Sequence, residues 1–166
     1  FDKMLSSCTV IFDGNGGTVE KESMNVTYGQ PYGELPVPGR AGYSFTGWYT
    51  EKEEGTLVDA TTIVKAMKEQ SLYARWIPVE YTLSYNANGG SVSVSEKKIT
   101  VEDTFGKLPV PSRDYYDFLG WYTTAEGNNG VQVNENTKLE RPSNITLYAR
   151  WQEHPISGWV KDSEVP

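Results

Sequence analysis

The chain has 166 residues, of which 15 are basic and 22 acidic, giving a net charge of −7. That balance repels phosphate backbones and argues against a nucleic-acid partner. Aromatic residues make up 13% of the sequence and five are tryptophan, enough apolar material for a packed core, while no stretch approaches the roughly 20 apolar residues of a membrane helix.

Residues 1–7 read as a lead-in. They carry no signal peptide, so an exported protein would have its signal and any anchor outside this sequence. Cys8-Thr9-Val10-Ile11-Phe12 then alternates apolar and polar, the period of a half-buried strand. Cys8 is the single cysteine. It faces inward as a packed core thiol and has no partner for an intramolecular disulfide. Asn15-Gly16-Gly17 follows. Asn-Gly after a strand signals a turn with positive φ angles. A phosphate loop would need a helix and a lysine next, and Thr18-Val19-Glu20 is strand-like. Val19 is expected to open a second strand running through Val26-Thr27.

Gln30-Pro31-Tyr32-Gly33-Glu34-Leu35-Pro36 predicts one or two turns of helix, with proline at its first position and a second proline to stop it. Val37-Pro38 continues extended. Tyr43–Tyr49 alternates again as a strand, and the charged tip Glu51–Gly55 is a solvated loop. Short extended pieces follow at Leu57-Val58 and Thr62–Val64. Lys65–Gln70 has a helical look, and Leu72-Tyr73-Ala74-Arg75-Trp76 is a closing strand.

Shifted by 73 residues, the chain lies on itself. Asn15-Gly16-Gly17 falls on Asn88-Gly89-Gly90, Leu35-Pro36-Val37-Pro38 on Leu108-Pro109-Val110-Pro111, and Gly47-Trp48-Tyr49-Thr50 on Gly120-Trp121-Tyr122-Thr123. Two extra residues near Asn128-Asn129 move the offset to 75, and the closing strand recurs as Leu147-Tyr148-Ala149-Arg150-Trp151. The organisation is therefore a lead-in 1–7, module 8–76, linker 77–80 stiffened by Pro78, module 81–151, and a segment 152–166 that is a linker or the start of another module. The second copy repeats each element. Tyr81–Tyr85 is the first strand, Val92 to Ile99-Thr100 the second, Asp103–Pro109 the helix with Asp103 as its N-cap, and Tyr116–Tyr122 the third strand. Pro142 sits where the first copy has its helical look at Lys65–Gln70, which argues against a shared helix there. What both copies keep, the module requires.

The order NGG, YGELPVP, GYSFTGWYT and LYARW resembles the Listeria–Bacteroides repeat, the B-repeat family of internalin-type surface proteins, and the resemblance covers nearly the whole chain in both copies. It implies a small β-grasp-like, ubiquitin-resembling α+β module with one short helix. It also implies tandem display on an extracellular or cell-surface bacterial protein, and it brings no catalytic residues. The second copy departs at Asp114-Tyr115, where the first has Ala41-Gly42.

Residues able to do chemistry are sparse. His154 is the single histidine and lies outside both modules, without the partners of a hydrolase triad. One Cys and one His cannot close a zinc site. Few carboxylates recur in equivalent positions: Asp13 maps to Asn86 and Glu34 to Lys107. Asp13-Gly14-Asn15-Gly16 lacks the later ligands of a calcium loop. Leu35-Pro36-Val37-Pro38-Gly39 departs from a sortase signal at Pro38 and is internal. Asn25-Val26-Thr27 and Asn144-Ile145-Thr146 match the glycosylation pattern by coincidence in a bacterial chain. Trp48, Trp76, Trp121 and Trp151 could stack sugar rings, but their place in strands favours core. Trp159 stands apart in the tail.

The expectation is a non-catalytic tandem repeat region of a bacterial surface or secreted protein, a spacer or stalk and also an adhesion module. It should be monomeric, without metal or cofactor, with no membrane insertion in this segment. A host or neighbouring-cell protein or glycan would be its partner. The alternative is an accessory carbohydrate-binding domain of a secreted enzyme, which exposed indoles would favour.

Overall fold

In the computed structural model, residues 6–154 are described. Trp159, the segment 155–166 and the first five residues of the lead-in lie outside them. The chain divides into two compact units between Val79 and Glu80.

The first unit is one five-stranded mixed sheet. β1 (Ser7–Asp13), β2 (Ser23–Thr27), β3 (Tyr43–Tyr49), β4 (Leu57–Val58) and β5 (Gln70–Pro78) lie in the order β2-β1-β5-β3-β4. β1 and β5 are parallel, and the other pairs are antiparallel. The second unit repeats this with β6 (Tyr81–Asn86), β7 (Glu96–Ile99), β8 (Tyr116–Tyr122), β9 (Gln132–Val133) and β10 (Ile145–Glu153), in the order β7-β6-β10-β8-β9. β5 and β10 run past the closing tryptophans, so Ile77 and Pro78, and Gln152 and Glu153, are strand residues.

The α+β, β-grasp-like expectation with one short helix per module is corrected: among the described residues there is no helix, and each unit is all-β. The segments over Gln30–Pro36 and Asp103–Pro109 spend their amides elsewhere. Tyr32 N–H donates to Thr62 O at 2.9 Å and Gly33 N–H to Ala60 O at 3.0 Å; Phe105 and Gly106 donate to Thr137 and Glu135 in the same way. Gly33 and Gly106 take φ of 78° and 68°, which a right-handed helix cannot hold. Asp103 does not cap a helix; its carboxylate accepts the N–H of Thr100, at 2.8 Å. Lys65–Gln70 is likewise not helical and leads straight into β5.

The glycine turn is real but longer in reach than a two-residue hairpin. Asn15 and Gly16 have φ of 46° and 101°, and Asn88 and Gly89 48° and 100°. The chain then turns away from β1. Thr18 bridges Gly39, and Ser91 bridges Ser112, so β2 begins at Ser23 and β7 at Glu96 rather than at Val19 and Val92.

One face of each sheet is packed. In the first unit Cys8, Val10, Phe12, Val26, Trp48, Val58, Leu72 and Ala74 are buried there, joined by Tyr32 and Val64 from the loops. Strict alternation along β3 would send Phe45 and Trp48 to opposite faces. The register with β5 slips between Phe45 and Gly47, leaving Thr46 as an extra residue, and both rings turn inward. Leu119 is the extra residue in β8. Aromatic contacts then run in series: Phe12–Trp48 at 4.8 Å, Phe45–Trp48 at 5.4 Å and Phe45–Trp76 at 5.6 Å between ring centroids. Tyr85–Trp121–Phe118–Trp151 repeats the series.

Tyr115 takes φ of 69° where Gly42 has 85°. The second copy therefore makes the same turn despite the departure at Asp114-Tyr115.

The closing tryptophan lies on the glycine turn. A Cβ on Gly17 would overlap Trp76 Cζ2, and one on Gly90 would sit 2.5 Å from Trp151 Cζ2. Neither glycine has a positive φ, so the requirement is space alone. Gly17→Ala or Gly90→Ala should destabilise its own unit by about 1–3 kcal/mol through overpacking, seen as a lower midpoint for one of two unfolding transitions. Unchanged midpoints would refute the close approach. Tyr85 offers the opposite test. Its hydroxyl is buried without a hydrogen-bond partner, and the first unit has Phe12 at this position. Tyr85→Phe should raise the stability of the second unit by about 1 kcal/mol by removing an unsatisfied group; a loss of that size in a denaturant titration would show that the hydroxyl is bonded.

Candidate functional site

The residues singled out for chemistry are distributed as follows. His154 directly follows β10 and is exposed. Its backbone N–H donates to Tyr115 O at 2.8 Å, and its Nδ1 lies 3.2 Å from Asp117 Oδ1, with both side chains about half exposed. Among the described residues no three His, Cys, Asp or Glu side chains gather as metal ligands. Asp13 Oδ1 accepts the N–H of Asn15 at 2.8 Å, and Asn86 Oδ1 does the same for Asn88. An amide serves where a carboxylate stands, so the acid of Asp13-Gly14-Asn15-Gly16 is a turn acceptor. Asn144 Oδ1 accepts Thr82 N–H.

Cys8 is buried. Its thiol donates to Lys68 O at 2.6 Å, and burial, helped by the Glu69 charge, raises its pKa. A nucleophilic cysteine needs the opposite shift.

Two of the tryptophans are enclosed, and Trp76 and Trp151 are half-buried. Trp48 and Trp121 are each 2% exposed, and their Nε1–H groups donate to Pro36 O and Pro109 O at 2.8 Å. The LPVP segments are therefore carbonyl acceptors for the core indoles. Trp76 and Trp151 Nε1–H donate to Gly14 O and Ala87 O at 2.9 Å. The ring N–H of all four indoles is engaged, Trp48 and Trp121 are closed off in the core, and Trp76 and Trp151 pack against Phe45 and Phe118.

The candidate surface lies on the other face of each sheet. Tyr49 and Tyr73 stand directly opposite on β3 and β5, as do Tyr122 and Tyr148 on β8 and β10. Such cross-strand pairs have Cβ atoms about 5 Å apart. Residues facing Trp48 and Ala74 point into the core, so these tyrosines point out; all four are half-buried. Arg75 and Arg150, two residues further along, stack on Tyr49 and Tyr122 with Cζ 3.9 Å and 4.2 Å from the ring centroids. The guanidinium groups also tie down the β3–β4 and β8–β9 loops. Arg75 Nη2 donates to Glu51 O at 3.3 Å, and Arg150 Nη2 to Thr124 Oγ1 at 2.7 Å. The result is a flat Tyr–Tyr–Arg surface present in both units. Reading for tryptophan missed it. The signal was in Leu72-Tyr73-Ala74-Arg75: period two puts tyrosine and arginine on the face opposite leucine and alanine, twice.

A groove of about 480 Å³ in the first unit is walled by Tyr32, Thr50, Val58, Ile63 and Gln70, among others. Tyr32 OH donates to Gln70 Oε1. The second unit has Phe105 and Ile145 at these positions, so the polar pair belongs to one copy only.

The Listeria–Bacteroides repeat domain matches residues 9–75 and again 81–150. Internalin H of Listeria monocytogenes is 30% identical over 151 residues, covering 91% of this chain and 26% of that protein. Two proteins of Evansella cellulosilytica, one designated a membrane protein and the other a Gly-rich membrane protein, are 34% and 29% identical over 145 and 148 residues. The match covers 86% and 89% of this chain but 21% and 16% of those proteins. The chain thus spans about a quarter or less of the length of these relatives.

The buried thiol and phenols carry a pH signature. Cys8 is raised by burial from an ordinary 9.0, and Tyr32 and Tyr85 from 10.0, also chiefly by burial. Each holds its proton more tightly folded than unfolded, so stability is full below the unfolded pKa and falls as pH climbs above it. The first unit should lose stability from about pH 9 upward, and Cys8→Ala should flatten that slope between pH 9 and 10. An equally steep slope in the variant would remove Cys8 as the cause.

Proposed function

Because the chain belongs to the Listeria–Bacteroides repeat family, we propose that it is a non-catalytic tandem region of a bacterial surface or secreted protein, serving as spacer and adhesion module. One observation carries this reading. The two units are the same scaffold at the turn, the aromatic series and the closing strand, and the surface they share is the outward Tyr–Tyr–Arg face. A duplicated scaffold supplies length and valency. Linked copies make the second contact intramolecular, raising avidity by about 10²–10⁴ without any new contact. Tyrosine and arginine are the residues that dominate binding hot spots. The names of the relatives, an internalin and membrane proteins, support a place at the cell surface.

A second reading, accessory carbohydrate binding, rests on the same tyrosines rather than on the tryptophans. Half-buried phenol rings standing side by side could stack a sugar ring at modest affinity. Both readings are tested with one pair of proteins. Binding to immobilised cells and to a neutral glycan panel is compared for the two-module chain and for the chain carrying Tyr122→Ser and Tyr148→Ser. Adhesion predicts a loss of at least tenfold on cells. Loss confined to the glycan panel favours the carbohydrate reading. Equal retention by the wild type and the variant, with the parent's activity preserved when both modules are replaced by an unrelated rigid pair of equal length, leaves the spacer role alone.

A further inference from the structure

In each unit an arginine is clamped beside the glycine turn. Arg40 Cζ lies 3.7 Å from the Tyr43 ring centroid and 6.0 Å from that of Trp76. Arg113 Cζ lies 3.6 Å from Tyr116 and 6.0 Å from Trp151. The turn crowds the same group from another side. A Cβ on Gly16 would be 2.9 Å from Arg40 Cζ, and one on Gly89 3.1 Å from Arg113 Cζ. The guanidinium is held by ring and turn, and its N–H edge is left to make bonds. Among the described residues neither arginine forms an ion pair.

The surroundings of that edge include further donors. Gly16 and Gly89 N–H have no acceptor among the described residues, whereas the neighbouring amides of Asn15 and Gly17, and of Asn88 and Gly90, are engaged. In the second unit Gly89, Gly90, Ser91, Ser112, Arg113 and Asp114 line a depression of about 340 Å³, and Ser91, Ser112 and Asp114 are exposed. The first unit presents Thr18, Gly39 and Ala41 at the matching positions. A fixed guanidinium fork, a free turn amide and a hydroxyl are the donor set that recognises an oxyanion. Packing accounts for the stacked ring. It gives no reason for an open donor edge in both copies, set beside serine hydroxyls in the second.

We infer that each turn is a docking point for an oxyanion group of an acidic polysaccharide. The polymer follows from the repeat: a site carried once per module suits a ligand whose charge also recurs. This goes beyond the Tyr–Tyr–Arg face, since a pure spacer could carry it too. The net charge of −7 opposes any polyanion at long range, a nucleic acid included, but charges beyond about 8–10 Å are screened at physiological salt, which leaves the donors at each turn to decide the local contact. Asp114 does oppose it locally. It stands in the depression where the first unit has Ala41, so the first turn binds more tightly than the second.

The test uses the full chain, labelled with ¹⁵N and titrated with sodium sulfate against sodium chloride at matched ionic strength. Saturable shifts are expected at the Gly16 and Gly89 amides and the Arg40 and Arg113 Nε–H groups, stronger at the first turn. Arg40→Gln and Arg113→Gln should each abolish the shifts at their own turn, and Asp114→Ala should strengthen the second turn several-fold. Should either glutamine variant fail to fold, Arg40→Lys and Arg113→Lys keep the charge and lose the fork, and should still lose most of the affinity. A sulfated oligosaccharide long enough to reach both turns should bind at least tenfold tighter than sulfate. Shifts that chloride reproduces, or that survive the lysine variants, overturn the site. Saturation by sulfate with no gain from the oligosaccharide, or an equal gain from inorganic polyphosphate, overturns the polysaccharide as occupant.

Discussion

Each unit is closed by one contact between its two ends, the indole of the last strand lying on the glycine turn after the first. Trp76 donates to Gly14 O across 62 residues, Asn15 Nδ2 returns a bond to Ala74 O at 2.9 Å, and Gly17 is kept bare so the ring can lie against it. Trp151, Ala87, Asn88 and Gly90 repeat the arrangement. The parallel β1–β5 pairing needs the same closure, since strands that begin and end the module have no short connection to align them. The cost of bringing such distant segments together is met only when nearly the whole module is present. That explains why Asn-Gly-Gly and Tyr-Ala-Arg-Trp recur together: they are two halves of one contact.

The strands were legible because their signal is local. Tyr43–Tyr49 and Tyr116–Tyr122 alternate in sequence and form β3 and β8 over those residues. Burial of Cys8, Val10 and Phe12 followed from period two. The helix expectation failed because its signals, a proline at each end and an N-cap aspartate, are local too, while the outcome was set at a distance. The amides of Tyr32 and Gly33 find carbonyls at Thr62 and Ala60, partners that no window of seven residues contains. The bulge at Thr46 escaped for a similar reason. Only the register against β5 shows that Phe45 and Trp48, three apart, share a face.

The candidate site was partly legible. The place of Trp48 and Trp121 in strands identified them as core, yet attention to indoles passed over the phenols beside them. Copy comparison also separates duplicated features from private ones. Tyr32 with Gln70 in the first unit becomes Phe105 with Ile145 in the second. The hydroxyl and its acceptor are exchanged together for two apolar residues, as expected where a buried polar group without its partner costs about 1–3 kcal/mol. The groove they wall varies as a packing solution and gives the array nothing to repeat.

The outward tyrosines resist that explanation. The face opposite a packed core is free to be polar, and most of it is: Thr9, Asn25 and Asp13 in the first unit, Thr82, Lys98 and Asn86 in the second. The sites on this face kept aromatic in both copies are the paired tyrosines, with an arginine laid over one of each pair. The arginine has a structural use, since it fixes the loop after β3 or β8. Holding that loop does not require the ring beneath it, because Arg150 reaches Thr124 through hydrogen bonds of its own. Nor does the second tyrosine of each pair, Tyr73 or Tyr148, touch the core series. Aromatic rings placed outward twice, at the same register and on a rigid sheet, are the ground on which the proposed contact face rests, and the sheet holds them in place without the ordering cost that a loop would add on binding.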